Sequence, residues 1–368
     1  MSQVVVVHDY LTQRGGAERV ALELVRAFPG SRLVTSVYDP DATFPEFADI
    51  DIAELGLGRV PGVRTDVRRA LPLLAPMFSA RRVDAEVVLC SSSGWAHGIG
   101  TGRGATKVVY CHTPARWLYE PDDYLGADPP RGRQLALAAL APGLRAWDQH
   151  AARSAARYIA NSTTVADRIE RAYGIVASVV APPPAVTGEG ERRAVAGLPE
   201  RFALCVARLL PYKHVVEVVE GCRLAGLPVV VVGEGPLVDT VDATLAAGAD
   251  GSTRLSRVTD AELRWLYGRA ELLVAGAHED LGLTPLEAAA CGTPTAALRR
   301  GGYLDTVVDG ETGNWIAEPT PPAIARAVRA VLAQSWSSDA LVAHAEGFAA
   351  ARFRDAIRAE VDAALLMG

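Results

Sequence analysis

The stretch His278-Glu-Asp-Leu-Gly-Leu-Thr-Pro-Leu-Glu287-Ala-Ala-Ala-Cys-Gly-Thr-Pro294 decides how the rest of the chain is interpreted. Immediately before it, the apolar run over residues 271–275 is typical of a buried strand in a parallel sheet. Within it, Thr284-Pro285 opens a segment of good helix formers, and Gly292 with Pro294 ends that segment. The stretch therefore predicts a strand, a polar loop and a helix N-terminus. In an open α/β sheet, that edge is where ligands bind.

Two glutamates, Glu279 and Glu287, frame this loop with seven residues between them. The free backbone N–H groups around Gly282, Leu283 and Thr284 face outward from the predicted helix end and suit a phosphate. Carboxylates at the two flanks suit the hydroxyl groups of an attached sugar. A second interpretation is a capping box, in which Thr284 caps the helix and Glu287 reaches back to its N–H. The stretch alone leaves both interpretations open.

Length and composition indicate an ordinary globular protein with two domains. A chain of 368 residues is long for one core, and 49% apolar with 22% charged residues excludes a disordered chain. The net charge of −6 gives no reason to expect a nucleic-acid partner. The absence of a signal-peptide pattern and of a membrane-spanning apolar run predicts a cytoplasmic protein whose membrane contact is at most peripheral. Five cysteines without a Cys-x-x-Cys pair predict buried free thiols: Cys90, Cys111, Cys205, Cys222 and Cys291.

The first half of the chain opens with the strand-to-helix pattern of a doubly wound domain. The Gly15-Gly16 pair lies between the first predicted strand and helix, where missing side chains let backbone approach a ligand; a tight turn is the alternative. His112 follows the strand predicted over residues 107–111 and can bond a sugar hydroxyl or a phosphate, although a lone histidine is more often structural. Over residues 55–82, arginines are interleaved with apolar residues, which suits either an anionic membrane surface or a solvated helix face.

A second α/β domain follows a linker over residues 181–200 that prolines and glycines interrupt. Its first strand leads into Arg208 and Lys213, two cations at a strand-to-helix junction that can hold a diphosphate. Solvated surface residues are the alternative. Gly233-x-Gly235 follows the next strand but lacks the third glycine of a dinucleotide fingerprint, which disfavours an NAD-type site.

Taken in order over nearly the whole chain, these motifs resemble the retaining glycosyltransferases of family 4. The segments 8–19 and 110–117 resemble more narrowly the bacterial mannosyltransferases that build lipid-linked surface glycans. The resemblance implies a GT-B fold of the α/β class, in which two Rossmann-like, doubly wound domains face a central cleft. The expected organisation is an acceptor domain over residues 1–180, a linker over 181–200, a nucleotide-sugar domain over 201–345, and a C-terminal helix within 346–368 that packs back on the first domain.

The resemblance also implies a role for each candidate residue. Glu279 would contact the sugar hydroxyls and Glu287 the ribose, while Arg208 and Lys213 would neutralise the diphosphate and His112 would touch the transferred sugar. The remaining candidates would surround the nucleotide and its phosphates: Gly15, Gly16, Gly233, Gly235, Arg257, Val258, Gly282, Leu283 and Thr284. Two positions depart from the family pattern, namely His214, where many relatives have glycine, and Leu281, where an aromatic residue is frequent.

The implied reaction moves a hexose from a nucleotide sugar to a hydroxyl of a glycan, lipid-linked or small-molecule acceptor, with retention and without a metal or cofactor. Mannose from GDP-mannose is the first expectation. The alternatives are a UDP-sugar-dependent glucosyl or N-acetylglucosaminyl transferase, an epimerase or phosphorylase on the same fold, and a catalytically silent scaffold subunit. The triplets Asp39-Pro-Asp41 and Asp49-Ile-Asp51 lack a third metal ligand and are interpreted as turns.

Overall fold

The computed structural model describes residues 3–60, 62–64, 67–120 and 131–366 and divides the chain into two compact units. The first unit comprises residues 1–182 and 350–368, and the second comprises residues 183–349. Each unit is built around its own parallel sheet with helices packed on it. The predicted fold class, two Rossmann-like α/β domains, is therefore confirmed.

In the described part of the first unit, seven parallel strands form one sheet in the order β3-β2-β1-β5-β7-β8-β9. A separate pair, β4 and β6, forms a small second sheet. The strands are β1 (Val4–His8), β2 (Arg32–Thr35), β3 (Ile52–Glu54), β4 (Arg82–Val83), β5 (Val87–Ser92), β6 (Gly100–Thr101), β7 (Thr106–Cys111), β8 (Arg157–Ala160) and β9 (Ser178–Val179).

The hydrophobic side chains of this sheet alternate between two cores. In β1, Val5 and Val7 belong to one core cluster, whereas Val4 and Val6 belong to the other. Neighbouring residues of a strand point to opposite faces, so helices must cover both sides of the sheet. The helices described in this part of the chain are α1 (Gly16–Ala27), α2 (Leu71–Ser79), α3 (Arg116–Tyr119), α4 (Arg131–Arg153) and α5 (Thr163–Tyr173).

In the second unit, all of whose residues are described, six parallel strands have the order β12-β11-β10-β13-β14-β15. They are β10 (Ala203–Val206), β11 (Val229–Val232), β12 (Thr253–Leu255), β13 (Leu272–Ala275), β14 (Thr295–Leu298) and β15 (Gly313–Ile316). The helices are α6 (Val215–Ala225), α7 (Val238–Ala246), α8 (Asp260–Arg269), α9 (Thr284–Ala290), α10 (Tyr303–Thr306), α11 (Pro321–Leu332) and α12 (Ser338–Glu346).

The last helix, α13 (Ala350–Leu365), belongs to the first unit. Its buried residues Phe353, Ile357, Val361 and Ala364 recur at helical spacing and join the core that contains α1. On the rim of this contact, Arg354 donates to Glu23 of α1 at 2.6 Å. Because α13 supplies part of that core, the first domain is built from two separate segments of the chain.

Residues 183–200 differ from the predicted linker because they are fixed to the second unit. Val186 lies in its core, and the Arg193 N–H donates to the carbonyl of Ala261 at 3.0 Å. The Arg264 side chain donates to the carbonyls of Thr187 and Glu191, at 2.8 and 2.6 Å. The unit boundaries consequently fall at 182/183 and 349/350.

The stretch over residues 55–82 holds structure that the sequence pattern did not predict. Helix α2 lies in it, with Pro76 inside the helix. Three apolar residues of the 55–82 stretch, Val63, Leu74 and Phe78, are buried in the first unit's core, so they do not form an outward apolar face. The side chains of Arg68, Arg69, Leu71 and Pro72 lie outside the described residues. Within the described residues, no helix is both long and apolar enough to cross a bilayer.

The prediction of buried free thiols is confirmed for four of the five cysteines. All five cysteines are free, and four of them are buried while Cys291 is partly exposed. Burial raises the pKa of the Cys205 thiol to about 12 and that of the Cys291 thiol to about 11. These thiols are therefore protonated packing groups at neutral pH.

Candidate functional site

The ion pair between Lys213 and Glu279 lies at the carboxyl edge of the second sheet. Lys213 ends a short turn after β10, and Glu279 lies in the loop after β13; β10 and β13 are neighbours in the sheet. The Lys213 ammonium contacts Glu279 Oε1 and lies 4.8 Å from the centre of the Tyr212 ring. The Lys213 side chain is 9% exposed and that of Glu279 is 30% exposed, so the pair is accessible mainly through the carboxylate. The structure thus brings together two residues that are 66 positions apart.

Arg208 lies in the same β10 loop with an exposed side chain, and none of the described residues forms an ion pair with it. Gly233 and Gly235 set the course of this loop. A Cβ on Gly233 would clash with the Ala207 carbonyl, and one on Gly235 would clash with the backbone of Leu209. The two glycines therefore clear space for protein backbone on each side of Arg208.

The loop after β13 is fixed by glycines that follow β14. The Gly302 N–H donates to the Glu279 carbonyl at 2.9 Å. A Cβ on Gly301 would clash with that carbonyl, and one on Gly302 would clash with the Cα of Leu281. The loop carrying Glu279 is held in place by this close backbone approach. The sequence analysis missed the role of Gly301 and Gly302, although the Gly-Gly pair was a visible signal.

The phosphate candidates Gly282, Leu283 and Thr284 lie half-buried at the start of α9. Gly282 has φ +80°, and a Cβ there would clash with the buried Tyr303 ring, so only glycine fits. Leu283 occupies the N-cap position and no side chain caps the helix. The N–H groups of the first turn therefore have no intrahelical acceptor.

The capping-box interpretation of Glu287 is wrong. Glu287 is buried, its Oε2 accepts from the Tyr267 hydroxyl at 2.7 Å, and its Oε1 accepts from the Ala185 N–H at 3.2 Å. The carboxylate thus ties α9 to α8 and to residues 183–200. A capping box lies instead at α8, where Thr259 and Glu262 exchange hydrogen bonds.

The candidates Arg257 and Val258 follow β12 at the same sheet edge. The Arg257 side chain is 87% exposed, and its Nε lies 3.3 Å from Glu234 Oε1. Val258 is half-buried against the second unit's core. Arg257 is therefore held only by an exposed ion pair, which is worth little in water and leaves its side chain free to move toward a ligand.

The Gly15-Gly16 pair begins α1 in the first unit, with Gly15 at the N-cap. Gly16 is exposed and has open space where a Cβ would stand, whereas a Cβ on Gly15 would clash with the Glu18 carboxyl. Glu18 is buried, its Oε2 has no hydrogen-bond partner, and burial raises its pKa to about 7. The sequence analysis missed Glu18 because a carboxylate in the first turn of a helix is usually solvated.

His112 follows β7 and is buried. Its N–H donates to the Ser92 carbonyl at 2.9 Å and its carbonyl accepts from Asn161 Nδ2 at 3.0 Å. Its ring Nε2 lies 2.8 Å from the Ser91 hydroxyl, which lies 3.0 Å from Nδ1 of His8. The sequence analysis missed both His8 and Ser91.

Asp9 holds the loop that follows β5. Its carboxylate accepts from the N–H groups of Ser93 and Ala96, both at 2.6 Å. Burial raises the pKa of Asp9 to about 6 in spite of these bonds. Asp9 comes directly after β1, which His8 ends, and that position was the signal that could have identified it.

The Asp-x-Asp triplet at residues 39–41 forms a turn. Asp39 Oδ1 accepts from the N–H groups of Asp41 and Ala42 at 3.1 and 3.3 Å, so the predicted turn is confirmed at the first triplet. Within the ranges that the structure describes, no group of three or more His, Cys, Asp or Glu side chains is placed to hold a metal ion.

Two Rossmann-like units, with cations and carboxylates gathered at one sheet edge, define the class of GT-B glycosyltransferases. Similar solved structures share this fold over the whole chain. The apo lipopolysaccharide outer core galactosyltransferase WaaB has a TM-score of 0.68 at 15% identity, covering 98% of this chain and 99% of WaaB. Anabaena Alr3699/HepE in complex with UDP-glucose has a TM-score of 0.65 at 16% identity, covering 98% of this chain and 99% of HepE.

The sequence families give the narrower assignment. The family described as Glycosyltransferase Family 4 matches residues 14–186, and Glycosyl transferases group 1 matches residues 190–347. The chain belongs to glycosyltransferase family 4, as the sequence motifs predicted. A curated relative, the GDP-mannose-dependent alpha-(1-6)-phosphatidylinositol monomannoside mannosyltransferase of Mycolicibacterium smegmatis, is 29% identical over 215 residues. That match covers 50% of this chain and only 56% of the relative's length.

Proposed function

We propose that this chain transfers a hexose from a nucleoside diphosphate sugar to an acceptor hydroxyl, with retention and without a metal ion. The observation that carries the proposal is the Lys213–Glu279 pair at the carboxyl edge of β10 and β13, with the exposed Arg208 in the same loop. A sugar diphosphate presents anionic oxygens and hydroxyl groups side by side. Cations and a carboxylate at one sheet edge match both.

The proposed chemistry is dominated by charge. As the nucleoside diphosphate departs, negative charge grows on its phosphates and the sugar becomes oxocarbenium-like. Lys213 and Arg208 stabilise the phosphates, and the N–H groups at the start of α9, which have no intrahelical acceptor, add donors. Glu279, released from Lys213, accepts from the sugar hydroxyls. In a same-face mechanism the departing phosphate takes the acceptor proton, so no protein nucleophile is required.

GDP-mannose is the proposed donor. The support is the GDP-mannose dependence of the Mycolicibacterium smegmatis relative, together with the motif resemblance over segments 8–19 and 110–117. UDP-sugars are the second choice, because HepE, which shares the fold, was solved with UDP-glucose. In either case Glu287 contacts the ribose, and Arg257 with Val258 lies near the base.

The proposed acceptor is a hydroxyl of a glycan, a lipid-linked glycan or a small molecule, bound by the first unit. The proposal also places the protein in the cytoplasm, where residues 55–82 contact the inner face of the plasma membrane peripherally. Its support is the run of arginines in that stretch. Binding to vesicles with and without anionic lipid tests this part separately.

A thermal-shift panel of nucleoside diphosphates and their sugars tests the donor. A ligand that binds only the folded chain raises its apparent stability with the logarithm of ligand concentration. We expect GDP and GDP-mannose to give the largest shifts and UDP-sugars the next. Mass analysis of products then separates transfer from its alternatives, because an epimerase or phosphorylase yields no glycosylated acceptor. If no nucleotide shifts the transition, the proposed function fails.

A further inference from the structure

Three buried polar side chains form a continuous chain across three neighbouring strands of the first sheet. His8 ends β1, Ser91 lies in β5, and His112 follows β7. His8 and Ser91 face each other in strand register. The Ser91 hydroxyl lies 3.0 Å from His8 Nδ1 and 2.8 Å from His112 Nε2. The line ends at the carboxyl edge of the sheet, where ligands bind in this fold.

The hydrogen-bonding inventory of these groups couples the two histidine rings through Ser91. A serine hydroxyl has one proton, so Ser91 donates to one ring and accepts from the other. Burial lowers the pKa of His8 to about 4, so its ring is neutral and has one donor and one acceptor nitrogen. For a neutral His112 ring, fixing the proton on Ser91 therefore fixes which nitrogen of His112 carries a proton.

The His112 ring is held on its other sides as well. The Tyr110 ring lies edge-on at 5.4 Å and the His8 ring at 6.3 Å, centroid to centroid. The backbone of His112 is bonded on both sides, to Ser92 and Asn161. The nearby Asp9 carboxylate is occupied by the N–H groups of Ser93 and Ala96. The Ser91 hydroxyl contacts the His112 ring directly at Nε2, so the position of its proton bears on the state of that ring.

We propose that Ser91 and His8 are positioning residues that hold the His112 imidazole in one orientation and one tautomer toward the transferred sugar. This inference rests on the proposed function, in which His112 touches that sugar. If the three buried polar groups only satisfied one another, removing one of them would lower stability but leave the rate of transfer unchanged.

The variants Ser91→Ala and His8→Phe remove the two links, and His8→Asn restores a polar group near the Nδ1 position. The matched control is Ser92→Ala, which removes a buried hydroxyl from the next position of the same strand. That hydroxyl accepts from the N–H groups of Gly94 and His97, at 3.1 and 3.5 Å. Three measurements are made on the full chain: donor affinity by calorimetry, kcat for transfer, and the ¹⁵N shifts of the His112 ring at about pH 8.5, where histidine rings are neutral.

We expect Ser91→Ala and His8→Phe to lower kcat by roughly 10- to 100-fold with little change in donor affinity, because a misplaced group costs rate more than binding. His8→Asn should recover most of the loss, and Ser92→Ala should stay near the wild type. The ring shifts should report one tautomer in the wild type and a mixture in Ser91→Ala. Wild-type kcat and a single tautomer in Ser91→Ala would overturn the inference.

The outcomes separate this inference from the proposed function. If the donor binds and is transferred but His112→Ala has full activity, the positioning role is refuted and the proposed function stands. If no nucleotide sugar binds, the proposed function fails. In that case the ring shifts of the wild type still test the inference, because a tautomer mixture at His112 would refute the fixed ring without any activity measurement. The same wild-type measurement decides the matter if Ser91→Ala does not fold.

Discussion

At the scale of single residues, the second unit contains two ion pairs of similar kind at opposite edges of one sheet. Lys213–Glu279 follows β10 and β13, whereas Arg201–Glu271 precedes the same two strands. The Arg201 pair is exposed at 2.9 Å and lies away from the ligand edge of a parallel sheet. The chain therefore provides an internal control for the assignment of Lys213 and Glu279.

The first prediction concerns Glu279→Gln. Removing the carboxylate frees the Lys213 ammonium, so nucleoside diphosphate should bind more tightly by about 1 kcal/mol, the upper range for a partly exposed pair. Transfer should slow by about 100-fold, because the contact with the sugar hydroxyls weakens in the transition state. Calorimetry and initial rates measure the two effects. Glu271→Gln should change neither, and equal behaviour of the two variants would refute the role of Glu279.

The second prediction concerns Glu18 and pH. Its folded pKa is raised by burial from 4.5 to about 7, so its stabilising contribution is complete below about pH 4.5 and is lost as the pH rises through 7. The Glu18→Gln variant has no ionisable group at this position, so it does not lose this stability as the pH rises. Its free energy of unfolding relative to the wild type should therefore increase between pH 5 and pH 8, by on the order of 1–3 kcal/mol. Urea titrations at several pH values measure the difference; parallel curves would show that Glu18 ionises normally.

At the scale of elements, glycines hold the loops of the candidate site in place. Gly233 and Gly235 admit the loop of Arg208, and Gly301 and Gly302 admit the loop of Glu279. Both glycine pairs follow strands that neighbour β10 and β13 in the sheet. The site geometry is thus set by close backbone packing between the loops that follow neighbouring strands.

The third prediction concerns Gly302→Ala. The new methyl group would clash with the Cα of Leu281 and the carbonyl of Asp280, which are backbone atoms that cannot rotate away. We expect a loss of stability of about 1–3 kcal/mol and weaker donor binding, because the Glu279 loop must move. The control is Gly143→Ala in α4, where nothing lies within 4 Å of a Cβ. There a gain of roughly 0.5–1 kcal/mol is expected, and similar effects at both positions would contradict the argument.

At the scale of the whole molecule, the sequence predicted the two α/β units because strand and helix patterns alternate with turn residues between them. It also placed Lys213 and Glu279 each just after a predicted strand. It could not predict which strands are neighbours, and the contact of His8, Ser91 and His112 depends on the order β1-β5-β7. Nor could it predict that residues 183–200 pack on the second unit, since proline-rich composition is shared by linkers and by extended packed segments.

The most direct test of the account is transfer of labelled sugar from the donor by Lys213→Ala. Matched to it is Arg201→Ala, which breaks the ion pair at the opposite edge of the same two strands. We predict that Lys213→Ala folds, binds nucleoside diphosphate at least about tenfold more weakly, and transfers sugar about 100-fold more slowly, while Arg201→Ala matches the wild type in both. Undiminished binding and transfer by a folded Lys213→Ala variant would contradict the claim that a sugar diphosphate is held at this sheet edge.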